Sequence, residues 1–277
     1  MGARAGLSGV YGWWLRRQLA PERLPRHIAV IMDGNRRWAR EAGLRNASIG
    51  HQHGAEHLET VLGWCTSLGV RHVTAWVASA DNIRKRDPGE VAFLMHLAET
   101  AIAQRIRGNG QWRIHVAGQL DMLPHSTAHA LQEAEQATAS LEAAGDLTIA
   151  IGYSGREEVV DAVRAILEEA AADGRSLTDV AAVISEKDIA AHLYTSGQPR
   201  PDLVIRTSGE QRLSDFLLWQ AVHAELSFVD AYWPSFRYID LLRVLRRYAS
   251  RGPRLPVSRL AVLGSIGRRL SAGRGRP

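Results

Sequence analysis

HIAVIMDGNRRWAR, residues 27–40, is where the chain first shows its architecture. The opening run is apolar and strand-length, which marks a strand buried on both faces. It stops at Asp33, and Gly34 then leads into a basic stretch holding Arg36 and Arg37. A carboxylate at the end of such a strand, followed by glycine and a helix start, can hold a metal while helix amides face an anion. An aspartate that merely caps a helix, with its arginines in solvent, accounts for the same letters.

Working outward, apolar strand-like segments recur at HVTAWVAS (72–79), WRIHVAG (112–118), LTIAIGY (147–153), DLVIRTS (202–208) and AELSF (224–228). Helical patterns separate them: Ala55–Leu68 with Leu58, Val61, Leu62 and Cys65 on one face, Pro88–Ile106, Ser126–Ala143, Glu157–Ala171, and a closing amphipathic Ile239–Tyr248. This alternation predicts a single α/β domain with a central parallel sheet flanked by helices, its ligands at the carboxyl ends of the strands. The chain divides into an arm (1–24), a body (25–250) and a basic tail (251–277).

At 277 residues and 45% hydrophobic, the chain can bury one large core. The single cysteine, Cys65, excludes an intrachain disulfide and fits a reducing cytoplasm. No apolar run approaches the roughly 20 residues that span a bilayer. The start, Trp13-Trp14 followed by Arg16-Arg17, lacks the apolar centre of a signal peptide. The net charge of +5 invites a nucleic-acid partner, but residues 251–277 carry +7 and residues 1–26 carry +4, leaving 27–250 at −6. An acidic body argues against nucleic acid. In the tail, Val257–Leu270 mixes apolar residues with arginines and suits either a peripheral membrane contact or a solvated tail.

Polar residues follow the strands at three further places. SADNIRKRDPGE (79–90) offers Asn82 and sets Arg86 four residues before Glu90, though a loop capped by Asp87 before Pro88 also fits. DLVIRTSGEQRLSDFLLW (202–219) puts Arg206, a Ser208-Gly209 turn, Arg212 and Ser214 on one loop. That set suits a diphosphate; Glu210 or Asp215 salt-bridging the arginines is the structural alternative. Glu225 stands inside an apolar strand, where a carboxylate is costly unless paired or bound to metal. His51, His53 and His57 lack the spacing of a zinc helix, so one functional histidine is expected there.

Together these segments resemble the cis-prenyltransferases, the family of undecaprenyl diphosphate synthase, from about Leu24 to Tyr248. HIAVIMDGNRRWAR is similar to the family's opening motif, and IRTSGEQRLSDFLLWQ with AEL to its closing one. LPRHIAV, YSGREEVVDAVR and LYTSGQPRPDLVIRTSGEQRLS resemble the short-chain members that make Z,E-farnesyl diphosphate. The resemblance implies a homodimer with a hydrophobic tunnel, joining isopentenyl diphosphate to a short allylic diphosphate such as geranyl diphosphate. It implies Mg²⁺ on Asp33 and Glu225, and an allylic diphosphate cradled by Gly34, Asn35, Arg36 and Arg37 beside Trp38 and His51. Asn82 would assist the condensation, with Ser79, Asp81 and Arg86 at the substrate. Arg206, Arg212 and Ser214 would hold isopentenyl diphosphate. A medium- or long-chain synthase, a non-catalytic prenyl-diphosphate-binding subunit and a phosphatase are the competing readings. The last lacks a second aspartate, since Asn35 stands there.

The sequence departs from the family pattern in places. Ala47 stands where an arginine is common, with Arg45 nearby, and Asp81-Asn82-Ile83 replaces Glu-Asn-Trp. An extra residue leaves Lys85 or Arg86 as the diphosphate cation, and counting back from Glu90 selects Arg86. Ser214-Asp215 replaces Ser-Asn, His223 replaces a tyrosine, and the terminal Arg-x-Gly is not evident after Tyr248. Val77 and Phe93 occupy positions that are often small, predicting a steric floor and a product of fifteen carbons.

Overall fold

The computed structural model describes residues 11–44, 46–101 and 107–251. The stretch Val257–Leu270, read as either a membrane contact or a solvated tail, Arg45 and the end of the helix predicted to reach Ile106 lie outside them. Six strands form one all-parallel sheet: β1 His27–Ile31, β2 His72–Ser79, β3 Trp112–Ala117, β4 Gly145–Tyr153, β5 Leu203–Arg206 and β6 Glu225–Phe228. Their spatial order is β3-β4-β2-β1-β5-β6, so β1 sits inside the sheet and every one of its residues is buried. That burial is why the run reads as apolar without alternation.

The helices are α1 (11–17), α2 Asn35–Glu41, α3 Ala47–Leu68, α4 Ala80–Lys85, α5 Pro88–Leu97, a single turn α6 Arg107–Asn109, α7 His125–Thr138, α8 Gly155–Ala172, α9 Leu177–Val183, α10 Glu186–Ala191 and α11 Tyr238–Ser250. Ile28 and Val30 of β1 point into the larger core, with Leu58 and Leu62 of α3, Leu94 of α5, Leu131 of α7, and Leu242 and Leu245 of α11. Truncating a fully buried leucine such as Leu242 would cost about 2–5 kcal/mol. Ala29 and Ile31 point the other way, onto Phe216, Leu217 and Ala221. That second face is covered partly by the irregular segment before β6 rather than by helices alone, a departure from the predicted layering. Residues 11–24 are not a free arm, because Leu15 and Leu19 are built into the larger core.

α3 begins eight residues before its predicted start at Ala55. Asn46 caps it by accepting from the Ser48 N–H at 2.9 Å. Its first turns meet α2 through glycine: a Cβ on Gly50 would lie 2.2 Å from the Asn35 carbonyl oxygen, and one on Gly54 2.6 Å from the Asn35 amide oxygen. Close helix contact through glycine leaves no apolar periodicity to read.

Candidate functional site

A cleft of about 790 Å³ opens at the carboxyl ends of the strands. Asp33, Asn35, Arg36, His51, Ser79, Asp81, Asn82, Arg86, Arg206, Arg212 and Ser214, eleven of the residues singled out from the sequence, line it.

One wall is built on β1 and β5. Register pairs Ile31 with Arg206, so the strand ends bring Asp33 and Arg206 together across 173 positions of sequence. Arg206 is buried and donates to the Asp33 carboxylate at 2.8 Å, to the Arg212 carbonyl at 2.6 Å and to the Ser214 hydroxyl at 2.7 Å. Arg37 approaches the other Asp33 oxygen at 3.4 Å and donates to the Ser208 hydroxyl at 2.6 Å. Burial works against the Asp33 charge, yet the Arg206 hydrogen bond and the Arg206 and Arg37 charges hold its carboxyl below the usual range. Its carbonyl accepts from the Thr207 hydroxyl and the Trp233 N–H, which fixes the backbone beneath. Gly34 turns the chain at φ 103°, where a Cβ would lie 2.6 Å from the Tyr232 side chain. Only glycine fits.

The loop after β5 holds Ser208, Ser214, Asp215 and Leu217 at positive φ. Asp215 ties it to the start of α8: its carboxylate accepts from the Ser154 hydroxyl at 2.5 Å and the Arg156 N–H at 3.1 Å, and its carbonyl from the Gly155 N–H at 2.9 Å. Unfavourable backbone next to Ser214 is held by acceptors on a helix N-terminus.

The second wall is helical, with Glu90 of α5 at its centre. His51 of α3 meets Glu90 at 3.0 Å, Arg86 donates to it at 2.9 Å, and Arg36 lies 3.6 Å away. Burial lowers the His51 pKa, against the pull of Glu90, so the imidazole is neutral near pH 7. Ser79 caps α4 by accepting from the Asn82 N–H at 2.9 Å. Asp81 is spent on Lys85 at 2.8 Å, with Lys85 largely in solvent. Arg86, not Lys85, is therefore the cation facing the cleft.

An apolar slot of about 40 Å³ adjoins the cleft, sharing Met32, His51 and Val77 with it. Leu94, Leu97 and Ala98 bound it from α5 and the turn beyond. Phe93 is not among its lining residues, because the inward face of α5 runs through 94, 97 and 98. Trp76 lies between cleft and slot with its ring stacked on Phe216, centroids 4.9 Å apart.

Three expectations change. Glu225 pairs with Leu203 at the level of Ile28, three register steps before Ile31, so it stands roughly 10 Å along the strands from the level of Ile31, with Asp33 further on. Within one chain it cannot share an ion with Asp33, and it accepts instead from Arg251 at 3.1 Å. Trp38 packs edge-on to His53 at 4.9 Å and does not line the cleft. Gly34 and Arg37 act beside the cleft through backbone shape and Asp33. The sequence reading missed Glu90 as the hub, Ser208 as the Arg37 partner, and Arg84 and Arg156 on the rim. Glu90 had left a signal in its i,i+4 spacing from Arg86, and Ser208 in its place at the turn of the candidate diphosphate loop.

Comparison with known proteins agrees on one family. A prenyltransferase family model described as undecaprenyl diphosphate synthase matches residues 31–255. An isoprenyl transferase of Streptomyces fradiae is 54% identical over 87% of this chain and 94% of its own length. A (2Z,6E)-farnesyl diphosphate synthase of Thermobifida fusca is 47% identical over 90% of this chain and 96% of its own. Among solved structures, lavandulyl diphosphate synthase from Lavandula x intermedia, in complex with dimethylallyl diphosphate, superposes with a TM-score of 0.74 at 32% identity, covering 82% of this chain and 96% of that one.

Proposed function

The chain belongs to the undecaprenyl diphosphate synthase family of prenyltransferases, and on that premise we propose that it joins isopentenyl diphosphate to geranyl diphosphate, giving (2Z,6E)-farnesyl diphosphate. The observation that supports a short product is the small size of the apolar slot, about 40 Å³ and lined by Leu58, Leu94, Leu97 and Ala98. Each buried methylene favours elongation by about 0.8 kcal/mol, so a floor is needed to stop it. Overpacking a filled site costs about 1–3 kcal/mol, enough to slow each further round.

In the reaction, the new carbon–carbon bond forms as the allylic carbon–oxygen bond breaks, and one proton leaves the isopentenyl unit. Arg206, Arg212 and Ser214 hold the isopentenyl diphosphate. Arg36, with Arg86 and His51 behind it, faces the allylic diphosphate, and Asn82 orients the bound diphosphate that takes the proton. Asp33 is a hard oxygen donor, ionised and partly buried, and Mg²⁺ is commonly held by one or two carboxylates plus substrate phosphates. The site therefore fits Mg²⁺ on Asp33, with Glu225 of the same chain too far along the strands to share the ion. When bound, the ion would neutralise the departing diphosphate.

A homodimer is part of this reading. Val160 and Leu167 on α8 and Leu218 and Val222 before the edge strand β6 are exposed apolar residues that a second copy could cover. Light scattering on Val222→Asp would separate monomer from dimer.

The test is incubation with labelled isopentenyl diphosphate, Mg²⁺ and primers of five, ten and fifteen carbons, with chromatography of the products. A fifteen-carbon product from the ten-carbon primer is expected, shifting longer in Leu94→Ala. Chains of fifty carbons from the wild type would overturn the floor, and released phosphate without extension would overturn the synthase reading.

A further inference from the structure

We propose that the face formed by α1 and α11 docks the protein on an anionic lipid surface. α1 is two-sided: Leu15 is 0% exposed and anchors the helix in the core, whereas Trp13 is 58%, Trp14 43% and Tyr11 37% exposed. Large aromatics this open to water are unusual on a surface that meets nothing. Each sits under a guanidinium. Arg17 lies 4.6 Å from the Trp13 ring centroid, Arg246 of α11 5.2 Å from Trp14, and Arg243 5.6 Å from Tyr11. Tyr11 and Trp14 stack at 5.6 Å, and Trp13 is the neighbouring residue on the same helix.

The charges point to the partner. Residues 11–18 contain no acid, and the acid beside this face on α11, Asp240, is occupied by Arg237 at 2.9 Å and Arg243 at 3.3 Å. Residues 1–26 as a whole carry +4, while residues 27–250 carry −6. A basic, aromatic face on an acidic body is complementary to anionic headgroups: tryptophan and tyrosine settle at the membrane interface, and arginine is drawn to its negative potential.

The location gives docking a sense. Arg16 donates to the Ser67 carbonyl at 3.0 Å, at the carboxyl end of α3. His51, near the other end of α3, lines the polar cleft, and sixteen residues of helix separate the two positions by about 24 Å. The apolar slot follows α3 from His51 through Gly54 and Ala55 to Leu58, toward the α1 end. A protein lying on its α1–α11 face would keep the diphosphate end in water and turn the alkyl end toward lipid. The docking surface stands independently of the proposed product.

The experiment is co-sedimentation of the full chain with vesicles of phosphatidylcholine alone, or mixed with phosphatidylglycerol. The wild type, Trp13→Ala/Trp14→Ala, Arg16→Gln/Arg17→Gln and a deletion of residues 252–277 are compared, each checked by circular dichroism and turnover. Binding only to the anionic vesicles is expected, falling roughly thirtyfold in the arginine pair and at least as far in the tryptophan pair. The arginine pair decides alone if the tryptophan pair misfolds. Absence of binding to anionic vesicles overturns the proposal, as does binding lost with the tail but untouched by the substitutions at 13–17. Loss of an oligomer by light scattering in the tryptophan pair would identify the face as a contact between copies and overturn it too.

Discussion

The two walls of the cleft use the same device, a carboxylate surrounded by cations, but build it differently. On the β1–β5 wall Asp33 projects from a strand end, and its partners Arg206 and Arg37 come from the end of β5 and the first turn of α2, steadied by Ser214 and Ser208 on a loop held at positive φ. On the helical wall Glu90 joins His51, Arg86 and Arg36 from α3, the α4–α5 junction and α2. In the first, the Asp33 carboxylate is partly exposed to the cleft, and under the proposed function a metal there would leave Arg206 and Arg37 to phosphate. In the second, the Glu90 carboxylate is the more enclosed, 15% exposed against 30% for Asp33, while Arg36 beside it stays half exposed. Under the proposed function Asp33 would serve charge neutralisation on the first wall, and Glu90 would hold Arg36 and Arg86 in place toward the allylic diphosphate on the second.

Asp33→Ala should break the comparison most severely, lowering turnover on the order of 10³-fold with the fold retained by circular dichroism. Near-normal activity with Mg²⁺ would remove the first wall from the chemistry. Arg212→Ala should raise the Michaelis constant for isopentenyl diphosphate about tenfold, the lower end for a charge-assisted bond because this arginine is largely exposed and shared with Glu210. An unchanged constant would return that loop to a structural role. Glu90→Gln should reverse the pattern, with kcat falling roughly tenfold through misplaced cations while the allylic Michaelis constant moves less. A Michaelis constant that rises alone would show that Glu90 serves binding and not the alignment of the reacting groups.

The smallest effect is in pH. Because burial lowers the His51 pKa, the native state binds fewer protons than the unfolded chain below the ordinary value of 6.5. The stability it contributes is present above that value and is lost as pH falls through the folded pKa. His51→Gln should therefore flatten the decline in Tm on acidification from pH 6.5, and identical slopes would show that His51 is not held neutral.

The strands were legible because burial on both faces writes an uninterrupted apolar run, and β2 matches its predicted 72–79 span. Asp33, Arg206 and Ser214 were legible for a related reason: they follow such runs, at the strand ends where parallel sheets place ligands. The start of α3 was hidden because Gly50 and Gly54 contribute contact without side chains. Glu90 looked like an ordinary first-turn acid, since its partnership with His51 spans 39 positions and depends on how α3 and α5 pack. The partner of Glu225 was hidden for a related reason. A buried acid in a strand demands a partner, and register, invisible in the letters, supplied Arg251 at the far end from Asp33.

The position of β1 also has a consequence for the order of synthesis. His27 pairs with His72 on one side, while on the other Ile28 meets Leu203, 175 residues later. At about 5–20 residues per second the ribosome needs roughly 9–35 s to supply that second neighbour. Throughout this interval the nascent chain presents an apolar strand edge with free backbone groups, a template for another growing chain. Sheet closure also delivers Arg206 to Asp33, so removal of the aggregation-prone edge and completion of the cleft are one event late in translation.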